Sequence, residues 1–176
     1  MPGPIFLDGD GVALHTIEEA DIPFLQETIN DPTVRRYVSR FEPINGHQER
    51  EWFEEQVSSD DETNLLVVTD DGPVGTVGLT PDPQLLGSAE IGIVLAKSHW
   101  NEGYGTEASR LLTDYAFRER RIHRVVARVL DPNEGSKRIW EKLGFRHEAV
   151  HREATFVEGE YVDVHDYAVL RSEWRE

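Results

Sequence analysis

The sequence has no cysteine among its 176 residues, and it has no long apolar run. The first absence excludes a disulfide framework, a cysteine nucleophile and a thiolate metal site. The longest apolar runs, such as residues 65–68 and 91–96, fall far short of the roughly 20 residues of a membrane-spanning helix. No basic segment followed by an apolar one opens the chain, so we expect a cytoplasmic protein with no membrane partner.

Positive charge is also scarce. Asp and Glu number 34 against 18 Lys and Arg, the formal net charge is −16, and the only lysines are Lys97, Lys137 and Lys142. Because this field repels phosphates and no basic patch is present, we expect no nucleic-acid partner. Two interpretations remain, a halophile-like surface that salt screens or an acidic face that attracts amines and basic peptides. The scatter of acidic residues along the chain favours the first.

A glycine-containing loop between an apolar run and a helix is the most informative feature that is present. Gly103 and Gly105 allow a tight turn that brings backbone N–H groups against an anion, and the helix start adds partial positive charge. No Gly-Lys-Ser/Thr follows, so the segment is not a Walker loop, and its spacing is not the G-x-G-x-x-G of the dinucleotide-binding fingerprint. The segment therefore predicts a phosphate-binding loop of another kind.

Residues 100–108 read W-N-E-G-Y-G-T-E-A, which resembles the acetyl-CoA loop of the GNAT superfamily of N-acetyltransferases. The chain looks most like the RimJ/RimL-like group of ribosomal-protein N-terminal acetyltransferases, where W-x-x-G-Y-G/A-T-E-A is a familiar variant. Other matching segments are residues 12–21, 30–37, 133–136, 140–145, 159–163 and 170–174. The resemblance therefore extends over nearly the whole chain.

The resemblance implies a single domain over residues 1–176 with an α/β (α+β) fold. The expected architecture is a mixed, mostly antiparallel central sheet with splayed central strands and helices on both faces. The sequence pattern itself predicts strands near residues 11–15, 65–69, 74–79, 90–95, 122–130, 146–156 and 161–170. It predicts helices that start between residues 16 and 21, after residues 31–32, at residue 46, after the glycine loop as far as about residue 119, and before Gly144. Thr16 and Glu19 form a capping-box pattern.

The same resemblance implies acetyl-CoA as co-substrate, no metal, and direct attack by an amine acceptor in a ternary complex. The acceptor would be a protein N-terminus or a small amino compound, and a homodimer is a candidate assembly. By motif position, the residues expected to line the pantetheine arm are Ile93, Val94 and Leu95, with Asn133 as a further contact. The residues expected to cradle the pyrophosphate are Asn101, Glu102, Gly103, Tyr104, Gly105 and Thr106. From the pattern alone, residues 93–95 are equally a buried core strand, and Asn133 or Ser136 a helix N-cap.

Acetyl transfer to nitrogen requires a base for the amine proton, a donor for the developing oxyanion and an acid for the departing thiolate. Ser136 occupies the position at which RimL-like enzymes are thought to protonate the thiolate. Many relatives instead have a tyrosine seven residues after the asparagine, and that place is Trp140 here, which has no O–H. The resemblance therefore names Ser136 as the candidate acid.

The resemblance also implies Glu90 as the candidate base, since it lies on the strand before the loop, near where some superfamily members place a glutamate that works through water. Its apolar neighbours are expected to raise its pKa. A solvated carboxylate at a strand end is the alternative interpretation. Glu160 and Asp163 are rival bases, because their region commonly borders the acceptor pocket in the family. Another family position for the base falls at Arg128, which cannot serve at neutral pH.

Two other functions remain to be weighed. One is a non-catalytic acyl-CoA sensor, which would bind the cofactor without turnover. The other is a zinc hydrolase, since residues 147–151 fit H-E-x-x-H. That segment alternates as a strand, in which residues four apart point the same way but lie about 13 Å from each other, too far to share one zinc at ~2 Å per bond. We therefore interpret this motif as a coincidence.

Charge at the loop gives a further expectation. Glu102 places an anion beside the expected pyrophosphate, and the net charge of −16 repels a polyanionic cofactor. Salt screens both effects, so the sequence predicts that activity rises with ionic strength.

Overall fold

The structure, a computed structural model, describes residues 2–38 and 40–175. Its strands are β1 (Ile5–Asp8), β2 (Ala13–Thr16), β3 (Thr63–Thr69), β4 (Gly72–Pro81), β5 (Ser88–Leu95), β6 (Arg124–Leu130), β7 (Arg146–Val157) and β8 (Glu160–Leu170). Its α-helices are α1 (Ile22–Asn30), α2 (Gly46–Trp52), α3 (Tyr104–Glu119) and α4 (Glu134–Lys142). Short 3₁₀ turns cover Glu19–Asp21, Arg35–Tyr37 and Lys97–His99, and a π-helical turn, Phe53–Val57, continues α2.

All eight strands form one sheet in the order β1-β2-β3-β4-β5-β6-β8-β7. Neighbouring strands run antiparallel except β5 and β6, which are parallel. The predicted mixed, mostly antiparallel sheet with helices on both faces is confirmed.

The two faces of the sheet carry separate apolar clusters. The larger one joins the sheet to α3 and α4, and Leu112, Trp140 and Val125 are among its buried members. The smaller one, built on Leu25 and Leu66, lies under α1 and α2. Successive side chains of a strand point to opposite faces, so β5 directs Ile91 and Ile93 to the larger cluster and Gly92 and Val94 to the other side.

The splayed strands expected at the centre of the sheet are β5 and β6. Their ladder runs only from Ser88 with Arg124 to Glu90 with Val126, although the strands continue to Leu95 and Leu130. On its other edge, β5 stays paired with β4 as far as Leu95. The sheet therefore opens beyond Glu90, at the point where β5 leads into the glycine loop.

Two local predictions need correction, and one strand was not predicted. That strand is β1, a four-residue edge strand that pairs with β2. The cap before α1 involves Asp21, whose carboxylate accepts the backbone N–H of Glu18 at 2.9 Å, since Thr16 is still part of β2 and its hydroxyl donates to the Glu18 carboxylate. After residues 31–32 the chain forms only the 3₁₀ turn, because the Asp31 side chain holds the N–H groups of Thr33 and Val34 in a turn.

Candidate active site

A cleft of about 400 Å³ lies where β5, the glycine loop and α4 meet. Most of the predicted site residues line it together, namely Ile93, Val94, Leu95, Asn101, Gly103, Tyr104, Gly105, Thr106, Asn133 and Ser136. Glu90 and Glu102 are not among its lining residues. We refer to this cavity as the loop cleft.

The backbone of the loop is set by left-handed residues at the entrance to α3. Asn101 has φ 65° and Gly103 has φ 86°, and the helix begins at the next residue. The first N–H groups of a helix have no acceptor within it and favour an anion. Gly105 has a separate role, because a Cβ there would lie 2.9 Å from Ile139 Cδ1 and 3.3 Å from Leu95 Cδ1. The missing side chain therefore lets α3 start close to β5 and α4.

Trp100 stabilises the same junction. Its indole Nε1 donates to the carbonyl oxygen of Leu95 at 2.9 Å, and its ring packs edge-on against Tyr37 at 5.7 Å between centroids. Tyr37 also lines the loop cleft. The aromatic residue thus fixes the end of β5 and one wall of the cleft.

The loop cleft is lined by more basic than acidic side chains, whereas the chain as a whole is strongly acidic. Arg138, Lys142 and His99 line it, against the single carboxylate of Glu134 among the described lining residues. The side chain of Glu102 is exposed and lies outside the lining. Sequence reasoning missed Arg138 and Lys142, although their spacing of four residues on α4 places them on one helical face.

Asn133 and Ser136 begin α4 within the cleft. The Asn133 side-chain oxygen accepts the backbone N–H of Ser136 at 3.1 Å, so Asn133 is the N-cap of this helix. Its amide nitrogen has no acceptor among the described residues and can donate to a ligand. The Ser136 hydroxyl oxygen accepts the indole N–H of Trp140 at 3.1 Å.

A second cavity, of about 760 Å³, lies on the opposite face of β5 beneath α1 and α2. It shares Val38 and Val94 with the loop cleft. Gly78 and Gly92 face each other across β4 and β5 on its floor, and a Cβ at Gly92 would meet no atom within 4 Å. We call this cavity the acidic pocket because of the carboxylates that line it, Glu49, Glu51, Glu55, Glu62 and Glu90. Arg40 is the basic residue among its described lining residues.

Glu90 lies in the acidic pocket at the last paired position of β5 before the sheet opens. Burial raises the pKa of its carboxyl above the ordinary value, the Arg128 guanidinium opposes this rise, and Asp166 and Asp82 add to it. Arg128 Nη1 donates to Glu90 Oε2 at 2.7 Å. Arg128, which occupies the family's other position for the base, is thus the ion-pair partner of Glu90.

The rival bases lie elsewhere. Glu160 and Asp163 belong to β8, and neither lines the loop cleft or the acidic pocket. The Asp163 carboxylate accepts the backbone N–H of Glu153 at 2.8 Å, which ties together the hairpin of β7 and β8. Its contacts are those of a structural residue.

The H-E-x-x-H segment is part of strand β7, as predicted, but its two histidines do not share a face. His147 Nε2 lies 2.9 Å from His165 Nδ1, whereas His151 Nε2 lies 2.8 Å from an Asp166 carboxylate oxygen. Residues 165 and 166 are neighbours on β8 and therefore point to opposite sides. The register of β7 shifts between His147 and Ala149, so the two histidines lie on different faces of the sheet. The expectation that both histidines point the same way was wrong, and the bulge is the reason.

Within residues 2–38 and 40–175, no group of three or more His, Cys, Asp or Glu side chains is placed to hold a metal ion. No helix of the described chain combines the length and the apolar character that crossing a membrane requires.

Comparison with known proteins gives one family match. The family described as "Acetyltransferase (GNAT) domain" matches residues 12–146. A curated relative, "Probable N-acetyltransferase YjcK" from Bacillus subtilis (strain 168), is 38% identical over 121 residues, which are 67% of this chain and 67% of that protein.

Two solved structures share the fold. The first is spermidine N-acetyltransferase from Vibrio cholerae in complex with CoA and spermine, with a TM-score of 0.85 and 22% identity over 93% of this chain and 97% of that one. The second is RimL, a ribosomal L7/L12 alpha-N-protein acetyltransferase in complex with coenzyme A, with a TM-score of 0.83 and 17% identity over 95% of this chain and 98% of that one.

Proposed function

Since this chain belongs to the GNAT acetyltransferase family and transfers an acetyl group from acetyl-CoA to an amine, we propose which of its cavities binds each substrate and which residues transfer protons. The loop cleft holds the acyl carrier, and the acidic pocket holds the amine. The two cavities meet at Val94, which lines both. The acyl group would pass between the substrates beside this residue.

The loop cleft fits the carrier in shape and charge. The start of α3 and the loop from Asn101 to Thr106 offer N–H groups to the pyrophosphate, and Arg138 with Lys142 adds positive charge. Backbone groups of residues 93–95 are open to the pantetheine arm, because β6 has separated from β5 there. The amide of Asn133 donates to the same arm. Acetyl-CoA supplies an acyl group already activated as a thioester.

We assign the proton transfers to two side chains. Glu90 takes the proton of the amine through water, since it lies in the acidic pocket and its pKa is raised toward a useful value. Ser136 Oγ holds the proton that the departing thiolate takes up. A backbone N–H of β5 near Val94 stabilises the developing oxyanion.

The acceptor that fits best is a small cationic amine. Five glutamates against one arginine line the acidic pocket, which favours a positively charged substrate over a neutral one. The spermidine N-acetyltransferase of Vibrio cholerae shares the fold. A protein N-terminus, the acceptor that the name of RimL indicates, is the second candidate. This charge distribution also supports the cation-seeking interpretation of the acidic composition over the halophile-like one.

The test is a CoA-release assay with amino acids, N-terminal peptides, aminoglycosides and aliphatic amines, at low and at molar salt. We expect turnover with cationic amines and little with acidic peptides. Binding of acetyl-CoA without CoA release from any amine would instead support a non-catalytic acyl-CoA sensor. Light scattering on the same sample would decide whether the protein forms the homodimer considered above.

A further inference from the structure

Glu49 is a buried carboxylate that lacks a hydrogen-bond partner among the described residues. The residue is 7% exposed, yet it lines the acidic pocket. Among the described residues, no side chain or backbone group forms a hydrogen bond or an ion pair with its carboxylate. Burial raises the pKa of this group, and only the charge of Arg40 acts against the rise. A carboxylate that is largely removed from water, opens only into a pocket and has no hydrogen-bond partner is costly to keep ionised, so the arrangement points to a ligand that supplies one.

The position of Glu49 is fixed by the start of α2. The Asn45 side chain accepts the N–H groups of His47 and Gln48, and the Gln48 side chain accepts the N–H of Asn45. This capping box sets which residues of the helix turn inward. Glu49 then shares a helical face with Trp52 and Phe53, which pack against the apolar cluster under α1 and α2. The carboxylate is therefore held inward by the fold.

The nitrogen that attacks the thioester must lose its proton, and Glu90, at the last paired position of β5 before the sheet opens, is the carboxylate assigned to that step. Glu49 lines the same pocket from α2, and an ammonium group beside its charge stays protonated. Glu49 therefore suits a nitrogen that does not react.

Resting on the proposed function, we propose that Glu49 is a specificity-determining residue that binds a second ammonium group of the acceptor. The enzyme then selects diamines and longer polycationic amines over monoamines of the same length. The free ammonium group of the bound substrate then forms the ion pair that the described residues do not form with this carboxylate.

The test compares butylamine with 1,4-diaminobutane, which differ by one ammonium group. In the unaltered protein we expect kcat/KM to be roughly tenfold to a hundredfold higher for the diamine, the range of a charged hydrogen bond. Glu49→Gln should abolish this preference by raising KM for the diamine far more than KM for butylamine, with KM for acetyl-CoA unchanged. The matched control is Glu54→Gln, which removes the same charge from an exposed residue outside the pocket and should leave the preference intact.

A preference that survives in Glu49→Gln, or none in the unaltered protein, overturns the inference but leaves acetyl transfer to amines standing. Calorimetry identifies the case in which Glu49 binds the diamine but the proposed catalytic assignment is wrong. If 1,4-diaminobutane binds more tightly than butylamine and loses that advantage in Glu49→Gln, while no amine releases CoA, the role of Glu49 in binding is supported and the proposed catalytic assignment fails.

Discussion

The indole Nε1 of Trp140 donates a hydrogen bond of 3.1 Å to the hydroxyl oxygen of Ser136. Trp140 is buried at 1% exposure and packs against Phe145 with ring centroids 5.0 Å apart, so the donor is held in place. Since the serine oxygen accepts this bond, its own proton is free for another partner. An N–H directed at the oxygen also favours the charged form left after proton donation. The tryptophan at the expected tyrosine position thus supports a different acid.

Ser136→Ala should lower kcat by about 10²- to 10⁴-fold, the usual contribution of a positioned acid or base. The Kd of acetyl-CoA should change little, since the backbone N–H that caps α4 remains. Trp140→Phe keeps an aromatic ring in the core but removes the donor, and it should lower kcat less than Ser136→Ala. Steady-state kinetics and calorimetry measure both quantities. An unchanged kcat in Ser136→Ala would mean that water protonates the thiolate.

Arg128→Gln tests Glu90 as the base. A base must be ionised to act, so kcat falls as the pH drops below the pKa of Glu90. Removing the Arg128 cation removes the influence that lowers this pKa, and the acidic limb of the kcat profile should move to higher pH. Glu90→Gln should remove the limb and lower kcat by about 10²- to 10⁴-fold.

The control is Arg124→Gln, on the same strand, whose guanidinium pairs with Glu148 at 2.6 Å rather than with Glu90. This variant should leave the acidic limb of the kcat profile at the same pH. If Arg128→Gln also leaves that limb at the same pH, the limb reports the ionisation of a group other than Glu90.

The net charge of −16 predicts that salt improves acetyl-CoA binding by screening repulsion. The positive charge at the loop cleft predicts the opposite, because salt also screens the attraction between this charge and the cofactor. Arg138→Gln combined with Lys142→Gln should raise KM for acetyl-CoA roughly three- to tenfold at low salt. The difference should shrink near 1 M salt, where the Debye length is about 3 Å. The control is the pair Arg152→Gln and Arg171→Gln, two exposed residues outside the cleft. A KM for acetyl-CoA that falls with salt in the unaltered protein would instead support the repulsion expected from the whole chain.

The sequence predicted residues that meet in the loop cleft, but it did not predict the acidic pocket around Glu90. Gly103 and Asn133 stand in short contiguous motifs whose local geometry repeats wherever the motif occurs, so their cleft could be anticipated. Glu49 and Gly92 belong to segments far apart in the chain, and only the packing of α2 over the sheet brings them to one pocket. The bulge in β7 was missed for a related reason, because register depends on the partner strand and not on the alternation of one strand.

Glu49→Gln should stabilise the protein in a pH-dependent way. The folded pKa of Glu49 is raised above its unfolded value, so the folded state bears the cost of a buried charge only at higher pH. This cost is absent below the unfolded pKa and complete above the folded one. The free energy of unfolding of the variant should therefore match that of the unaltered protein near pH 4 and exceed it at pH 7. Urea unfolding at both pH values measures this, and equal stabilities at pH 7 would contradict the burial of an ionised carboxylate.

Gly92→Ala tests whether the floor of the acidic pocket carries the acceptor. An added Cβ at this position meets no protein atom within 4 Å, so the fold and the Kd of acetyl-CoA should not change. The methyl group would stand between Glu90 and Val94 on the face that the acceptor must cross. We expect kcat/KM for the amine to fall roughly tenfold or more, the effect of one methyl group in a fitted pocket. Gly46→Ala, where the new Cβ would make only an ordinary contact at 3.5 Å with the Gln26 side chain, is the control. Equal activity of the two variants would place the acceptor away from Gly92, and with it away from the face of β5 that Glu90 shares.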